Sequence, residues 1–200
     1  GVHGPQRGPV SITQITEKGQ VYTINEISEL TKIAKEFKLP VHMDGARFAN
    51  ALVSLGCTAA EMTWKAGVDV VSFGGTKNGL MGVEGVIFFD PQKAWEFELR
   101  RKRAAHLFSK HRYLSAQMLA YLENDLWIEL AGRANKAASR LIAGLRKIKQ
   151  VEFLVEPKAN LIFVKMPAYM HRKAFAMGLE YYTWSEIDGS KPMANAFLCI

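Results

Sequence analysis

The sequence predicts an α/β fold, a mostly parallel sheet wrapped by helices and followed by a smaller α/β domain. Three observations carry this. Short apolar runs alternate with segments of helical spacing up to about residue 95. A long helical stretch free of proline follows Pro91, and strand-like runs return on either side of Pro157. That rhythm, with single strands separated by helices, is the pattern of a parallel sheet whose ligands sit at the carboxyl ends of its strands.

Val10 to Ile15 reads as the first strand. Gly19 breaks it, and from Asn25 to Phe37 the residues Ile27, Leu30, Ile33, Ala34 and Phe37 recur at helical spacing. Pro40 ends that helix, and Val41 to Met43 forms a short strand that delivers Asp44 to its carboxyl end. Thr58 with Glu61 three residues on is a capping box, which starts a helix over Ala59 to Lys65. Val68 to Phe73 and Glu84 to Phe89 are the next apolar strands. Helices are expected over Lys93 to His106, Ser109 to Leu122 and Leu126 to Lys149, with Asn124-Asp125 dividing the last two. Strands over Val151 to Val155 and Asn160 to Lys165, a helix over Ala168 to Met177, and a strand over Tyr181 to Trp184 complete the reading. The domains divide as a large-domain portion over 1–95, a connecting helix over 96–114, and a small domain over 115–200. The chain opens on Gly1 and closes on the β-prone run Phe-Leu-Cys-Ile, so both ends look cut.

At 200 residues and 48% hydrophobic, the chain can bury a sizeable core. No run approaches the roughly 18 apolar residues of a spanning helix, and no signal peptide opens the chain, so a membrane partner is not expected. Cys57 and Cys199 make neither a disulfide framework nor a close metal-ligand pair, which fits a reduced, cytoplasmic protein without a bound metal. The net charge of +7 raises the question of nucleic acid. Much of the excess lies in Arg100 to Arg112 with no aromatic platform or recognition motif, so a solvated or subunit-facing helix is preferred. Some of these arginines and histidines are also candidates to line a site for an anionic cofactor and a carboxylate substrate.

Two short motifs carry the chemistry. Asp44 lies in Val-His-Met-Asp-Gly-Ala-Arg, and Lys77, 33 residues later, in Val-Ser-Phe-Gly-Gly-Thr-Lys-Asn-Gly. An acid at the end of one strand and a lysine just past the next are what pyridoxal phosphate requires. The carboxylate keeps the pyridine nitrogen protonated, and the amine holds the aldehyde as a Schiff base. Taken singly, Asp44 reads as a turn residue before glycine and Lys77 as an exposed loop lysine; the pair decides the reading. Arg47 offers a planar fork for the cofactor's phenolic oxygen or a substrate carboxylate. Thr76, and less so Ser72, can bond a cofactor oxygen or cap a turn. His42 is a candidate base, or a packed strand histidine. Gly-Gly-Thr-Lys lacks the first glycine and the trailing hydroxyl residue of a nucleotide-binding loop, so that reading is rejected.

His-Met-Asp-Gly-Ala-Arg-Phe-Ala-Asn-Ala at 42–51, Met-Thr-Trp-Lys-Ala-Gly-Val-Asp at 62–69 and Ser-Phe-Gly-Gly-Thr-Lys-Asn-Gly at 72–79 closely resemble the low-specificity L-threonine aldolases of the beta-eliminating lyase group. The resemblance continues through the basic segment to Gln117. It implies the aspartate-aminotransferase type of fold, Lys77 as the cofactor lysine, Asp44 as partner of the pyridinium, and Arg47 as a contact to cofactor or substrate. It implies further that a phosphate cup and a ring-stacking histidine belong upstream of these residues, and that the family's carboxylate-gripping arginine position aligns with Ala196, so that either the alignment slips there, Arg47 carries more of that duty, or substrate preference has changed. The implied reaction cleaves threonine, allo-threonine and related beta-hydroxy amino acids to glycine and an aldehyde, in a homodimer or homotetramer. Another pyridoxal-phosphate lyase, a racemase, or a non-catalytic truncated homologue are the alternatives.

Overall fold

A computed structural model describes residues 4–184 and 193–200. The opening Gly1 to His3 lies outside the described residues. The first sheet contains β1 (Val10–Thr13), β2 (Val41–Gly45), β3 (Val70–Gly74) and β4 (Glu84–Phe88) in that order. β1, β2 and β3 are parallel, and β4 runs antiparallel beside β3. The expected mostly parallel sheet is therefore present. A parallel register is possible because α1 (Ile24–Glu36) carries the chain back between β1 and β2.

α1 begins with a capping box in which Thr23 accepts from Glu26 N while the Glu26 carboxylate takes the Thr23 N–H. This signal has the same form as the one at Thr58, yet only the latter was read from the sequence. The helix α2 (Phe48–Leu55) was also missed. Its run Phe-Ala-Asn-Ala-Leu-Val-Ser-Leu is too uniformly apolar to show a helical stripe, because the first five residues are all buried. The helix expected over Ala59 to Lys65 is divided. α3 (Ala59–Met62) stops at Thr63, whose hydroxyl donates to Ala59 O at 2.6 Å and whose φ is −121°, and a 3₁₀ turn over Trp64–Ala66 follows.

Beyond β4 come α4 (Pro91–Arg103), α5 (Arg112–Leu122) and α6 (Leu126–Leu145). The second sheet, order β5-β6-β8-β7, is antiparallel throughout: β5 (Glu152–Phe153), β6 (Leu161–Pro167), β7 (Tyr182–Thr183) and β8 (Met193–Cys199), with α7 (Ala168–Ala176) after β6. Each sheet has a core, but the larger core crosses between them. Ile12, Met43, Val71 and Phe73 of the first sheet share it with Tyr121 from α5 and with Leu161 and Phe163 from β6. The smaller core gathers Ala138, Ile162, Val164, Met166 and Ala196. Among the described residues no helix is long and apolar enough to cross a membrane.

Candidate active site

Strand register brings the two motifs together. Asp44 pairs with Ser72, and Gly45 with Phe73, so β2 and β3 end side by side at the same edge of the sheet. The chain turns sharply after each. Asp44 Oδ1 accepts the Ala46 N–H at 2.9 Å, which fixes the carboxyl group at the strand end. The two turns press directly on one another. A Cβ on Gly74 would meet Ala46 O at 2.4 Å, and one on Gly45 would meet Ser72 O at 2.8 Å. These glycines are what allow the aspartate turn and the lysine turn to share a corner.

Lys77 sits in a 3₁₀ turn over Thr76–Asn78. The turn is held on both sides. Glu84, at the start of β4, accepts the Gly75 N–H at 3.1 Å and the Thr76 N–H at 3.2 Å. Asn78 is buried, and its Nδ2 donates to Tyr121 Oη at 2.5 Å and to Trp127 O at 2.9 Å. Tyr121, fully buried, donates to Gly74 O at 3.4 Å. Burial pushes the Tyr121 hydroxyl above its ordinary pKa; the Asn78 bond opposes this and nearby Glu84 adds to it. Lys77 itself is exposed and has no hydrogen-bond or ion-pair partner among the described residues. Its neighbours are fixed while its amine is available, as an attacking group requires.

Arg47 stands at the start of α2, half-buried. Its Nη2 donates to Cys199 Sγ at 3.3 Å, a contact that reaches from the first sheet to the end of β8. Its Nε is buried with no hydrogen-bond partner among the described residues. A buried guanidinium nitrogen without an acceptor marks a place for an anionic or phenolic oxygen. Thr76 is more peripheral: its hydroxyl reaches Val83 O at 3.5 Å, and its side chain is exposed. His42 lies between Ser11 Oγ at 2.9 Å and Ser72 Oγ at 2.8 Å.

Ala196 is buried in the smaller core, paired with Val164 on β6 and Thr183 on β7. Side chains alternate along a strand. Asn195, Phe197 and Cys199 therefore occupy the opposite face of β8, and it is Cys199 that meets Arg47. A side chain at 196 points into the small core and away from Arg47. The basic segment comes close to the lysine turn by another route: Arg100, Arg101, His106 and His111 line a cavity of about 810 Å³ whose wall includes Glu84. Arg101 Nε and His111 Nδ1 are buried without hydrogen-bond partners among the described residues, the His111 ring meeting Phe108 edge-on.

Asn78, Tyr121 and Glu84 were not assigned a site role from the sequence, and Cys199 was read there only as a free thiol without its contact to Arg47. Asn78 had one usable signal, an amide directly after the lysine in a glycine-rich turn. Tyr121 and Cys199 act across separations of 43 and 152 residues that no local pattern reveals, and Glu84 acts across the turn between β3 and β4.

An acid fixed at a strand end, an available amine on a pinned turn beside it, and an arginine with an unsatisfied buried nitrogen fit pyridoxal phosphate. The acid would face the ring nitrogen, the amine the aldehyde, and the arginine an oxygen of cofactor or substrate.

Residues 1–168 match the beta-eliminating lyase family. The chain is 41% identical over 194 residues to the low specificity L-threonine aldolase of a Pseudomonas species, covering 97% of this chain and 56% of that protein. It is 38% identical, with the same coverage, to the enzyme of that name from Pseudomonas aeruginosa. A solved structure of threonine aldolase from Leishmania major superposes with a TM-score of 0.84 at 26% identity, covering 96% of this chain and 55% of that one. The chain thus spans about half the length of the curated relatives it matches.

Proposed function

Because this chain belongs to the beta-eliminating lyase family, we propose that it carries the lysine-bearing portion of a pyridoxal-phosphate-dependent aldolase. The substrates are L-threonine, L-allo-threonine and related beta-hydroxy amino acids, and the products are glycine and an aldehyde. The observation that carries this reading is the shared corner of Asp44 and the Lys77 turn. In domain terms, residues 1–95 are part of the cofactor-binding large domain, 96–114 connect, and 115–200 form part of the small domain.

Bound pyridoxal phosphate supplies an electron sink for the bond that breaks at the substrate alpha carbon. The protein residues decide which bond that is. Asp44, held at Oδ1 by Ala46, keeps a ring nitrogen charged. Lys77 would hold the cofactor through its Nζ, which is exposed and without a hydrogen-bond or ion-pair partner among the described residues and so would be available to take up and return a proton. Arg47 would hold the substrate carboxylate, and that anchoring would select which bond at the alpha carbon is set up to break. The placement of Ala196 in the small core supports assigning this duty to Arg47. The cavity lined by Arg100, Arg101, His106 and His111 supports the handling of anionic groups near the lysine turn. The family resemblance supports a homodimer or homotetramer in the cytoplasm.

The test is to add pyridoxal phosphate and look for an absorbance band at the visible edge that borohydride fixes to Lys77. Glycine and acetaldehyde should then accumulate with threonine. Pyruvate from cysteine-type substrates, or inversion without cleavage, would replace the aldolase reading by a beta-elimination or racemase reading. No band would favour a non-catalytic homologue.

A further inference from the structure

The chain leaves β3 at Gly74 and re-enters the sheet at Glu84, its register partner on β4. Between them lies the loop that carries Lys77. It opens on the 3₁₀ turn over Thr76–Asn78, and the N–H groups at the start of such a turn have no partner inside it. Glu84 satisfies two of them. Its Oε2 accepts the Gly75 N–H at 3.1 Å, and its Oε1 accepts the Thr76 N–H at 3.2 Å, so both carboxylate oxygens close on the backbone just before the lysine.

Other partners stand nearby. Glu84 joins the wall of the cavity lined by Arg100, Arg101, His106 and His111, yet among the described residues it forms no ion pair with any of them. Hydrogen bonds that end on a charge are about twice as strong as neutral ones. The Glu84 side chain is exposed, so these two bonds rather than burial set its place.

Lys77 is thereby bracketed. Residues 75 and 76 are tied to Glu84, and Asn78 is tied to Tyr121 and to Trp127 O. A long side chain delivers its amine only as accurately as its backbone is placed, and a misplacement of about 1 Å can cost about a hundredfold in rate. We propose that Glu84 is a positioning residue for Lys77: its two oxygens set the turn from which the amine reaches the cofactor aldehyde. This role rests on the proposed function above and falls to a residue outside both motifs.

Two readouts on the whole chain test it, with Glu84→Ala and with Glu84→Gln, which keeps one acceptor oxygen. In the cofactor-free chain, hydrogen exchange of the Gly75 and Thr76 amides should quicken about tenfold in Glu84→Ala, while the amides of β2 keep their rates. In Glu84→Gln one of the two should remain protected. With pyridoxal phosphate added, the equilibrium constant for the borohydride-fixable band at Lys77 should fall about tenfold in Glu84→Ala and only about threefold in Glu84→Gln. Unchanged exchange at residues 75 and 76 would overturn the proposal, and so would faster exchange with an unaltered band, which is the result of a merely structural role. No band in the unaltered chain is a different failure: it would sink the cofactor reading itself, and this role with it.

Discussion

Gly74 and Ala46 lie so close that a Cβ on the glycine would sit 2.4 Å from the Ala46 carbonyl oxygen. The atom it would strike is backbone, which cannot swing aside as a flexible side-chain end does. The lysine strand and the aspartate turn meet only because position 74 has no side chain.

Gly74→Ala is therefore expected to destabilise the protein by about 2–3 kcal/mol, in the range of overpacked cores, and to abolish the cofactor band. Urea unfolding and absorbance titration with pyridoxal phosphate measure the two effects. A variant of native stability that still binds would show that the corner is looser than its geometry implies.

Lys77→Ala should leave the unfolding midpoint unchanged, because the side chain is exposed and has no partner among the described residues. The cofactor band and the borohydride-fixed adduct should both disappear. Mass spectrometry of a peptide containing residue 77 decides this directly.

Tyr121→Phe removes a hydroxyl that accepts from buried Asn78 and donates to Gly74 O. Leaving one of the two Asn78 Nδ2–H groups without its acceptor, while the bond to Trp127 O remains, is expected to cost about 1–3 kcal/mol by denaturant unfolding. Asn78→Ala should cost a similar amount, and the double variant less than the sum.

Alkaline pH tests the same tyrosine. Its folded pKa is raised above the ordinary value of 10.0, chiefly by burial, so the unfolded chain ionises first. The stabilising contribution is complete below the unfolded pKa and is lost as pH rises through it toward the folded one. Stability should fall more steeply above pH ~10 in the unaltered protein than in Tyr121→Phe.

Acid pH tests the cap at Thr58. Its hydroxyl and backbone N–H hold the Glu61 carboxyl below the ordinary value of 4.5. This contribution is present above the unfolded pKa and lost as pH falls through the folded one. Thr58→Ala should flatten that acid limb in a thermal-denaturation series.

Much of the site was legible because its signals are local. The Thr58 to Glu61 cap, the strand that ends at Asp44 and the glycines around Lys77 each declare themselves within a few residues. The division of the Ala59 to Lys65 helix at Thr63 was hidden, since the hydroxyl bond to Ala59 O competes with the helix without altering its pattern. So was the orientation of Ala196, which depends on which face of β8 meets the small core.

The sequence alone determined the alternation of strands and helices, the residue types of the site and their order along the chain, because periodicity and turn chemistry act over a few residues. The tertiary structure decided that β4 runs antiparallel, that Tyr121 reaches back 43 positions to hold Asn78, and that Cys199 meets Arg47 across 152. Those contacts are selected by packing two sheets around a shared core, and only the folded chain brings their partners within reach of one another.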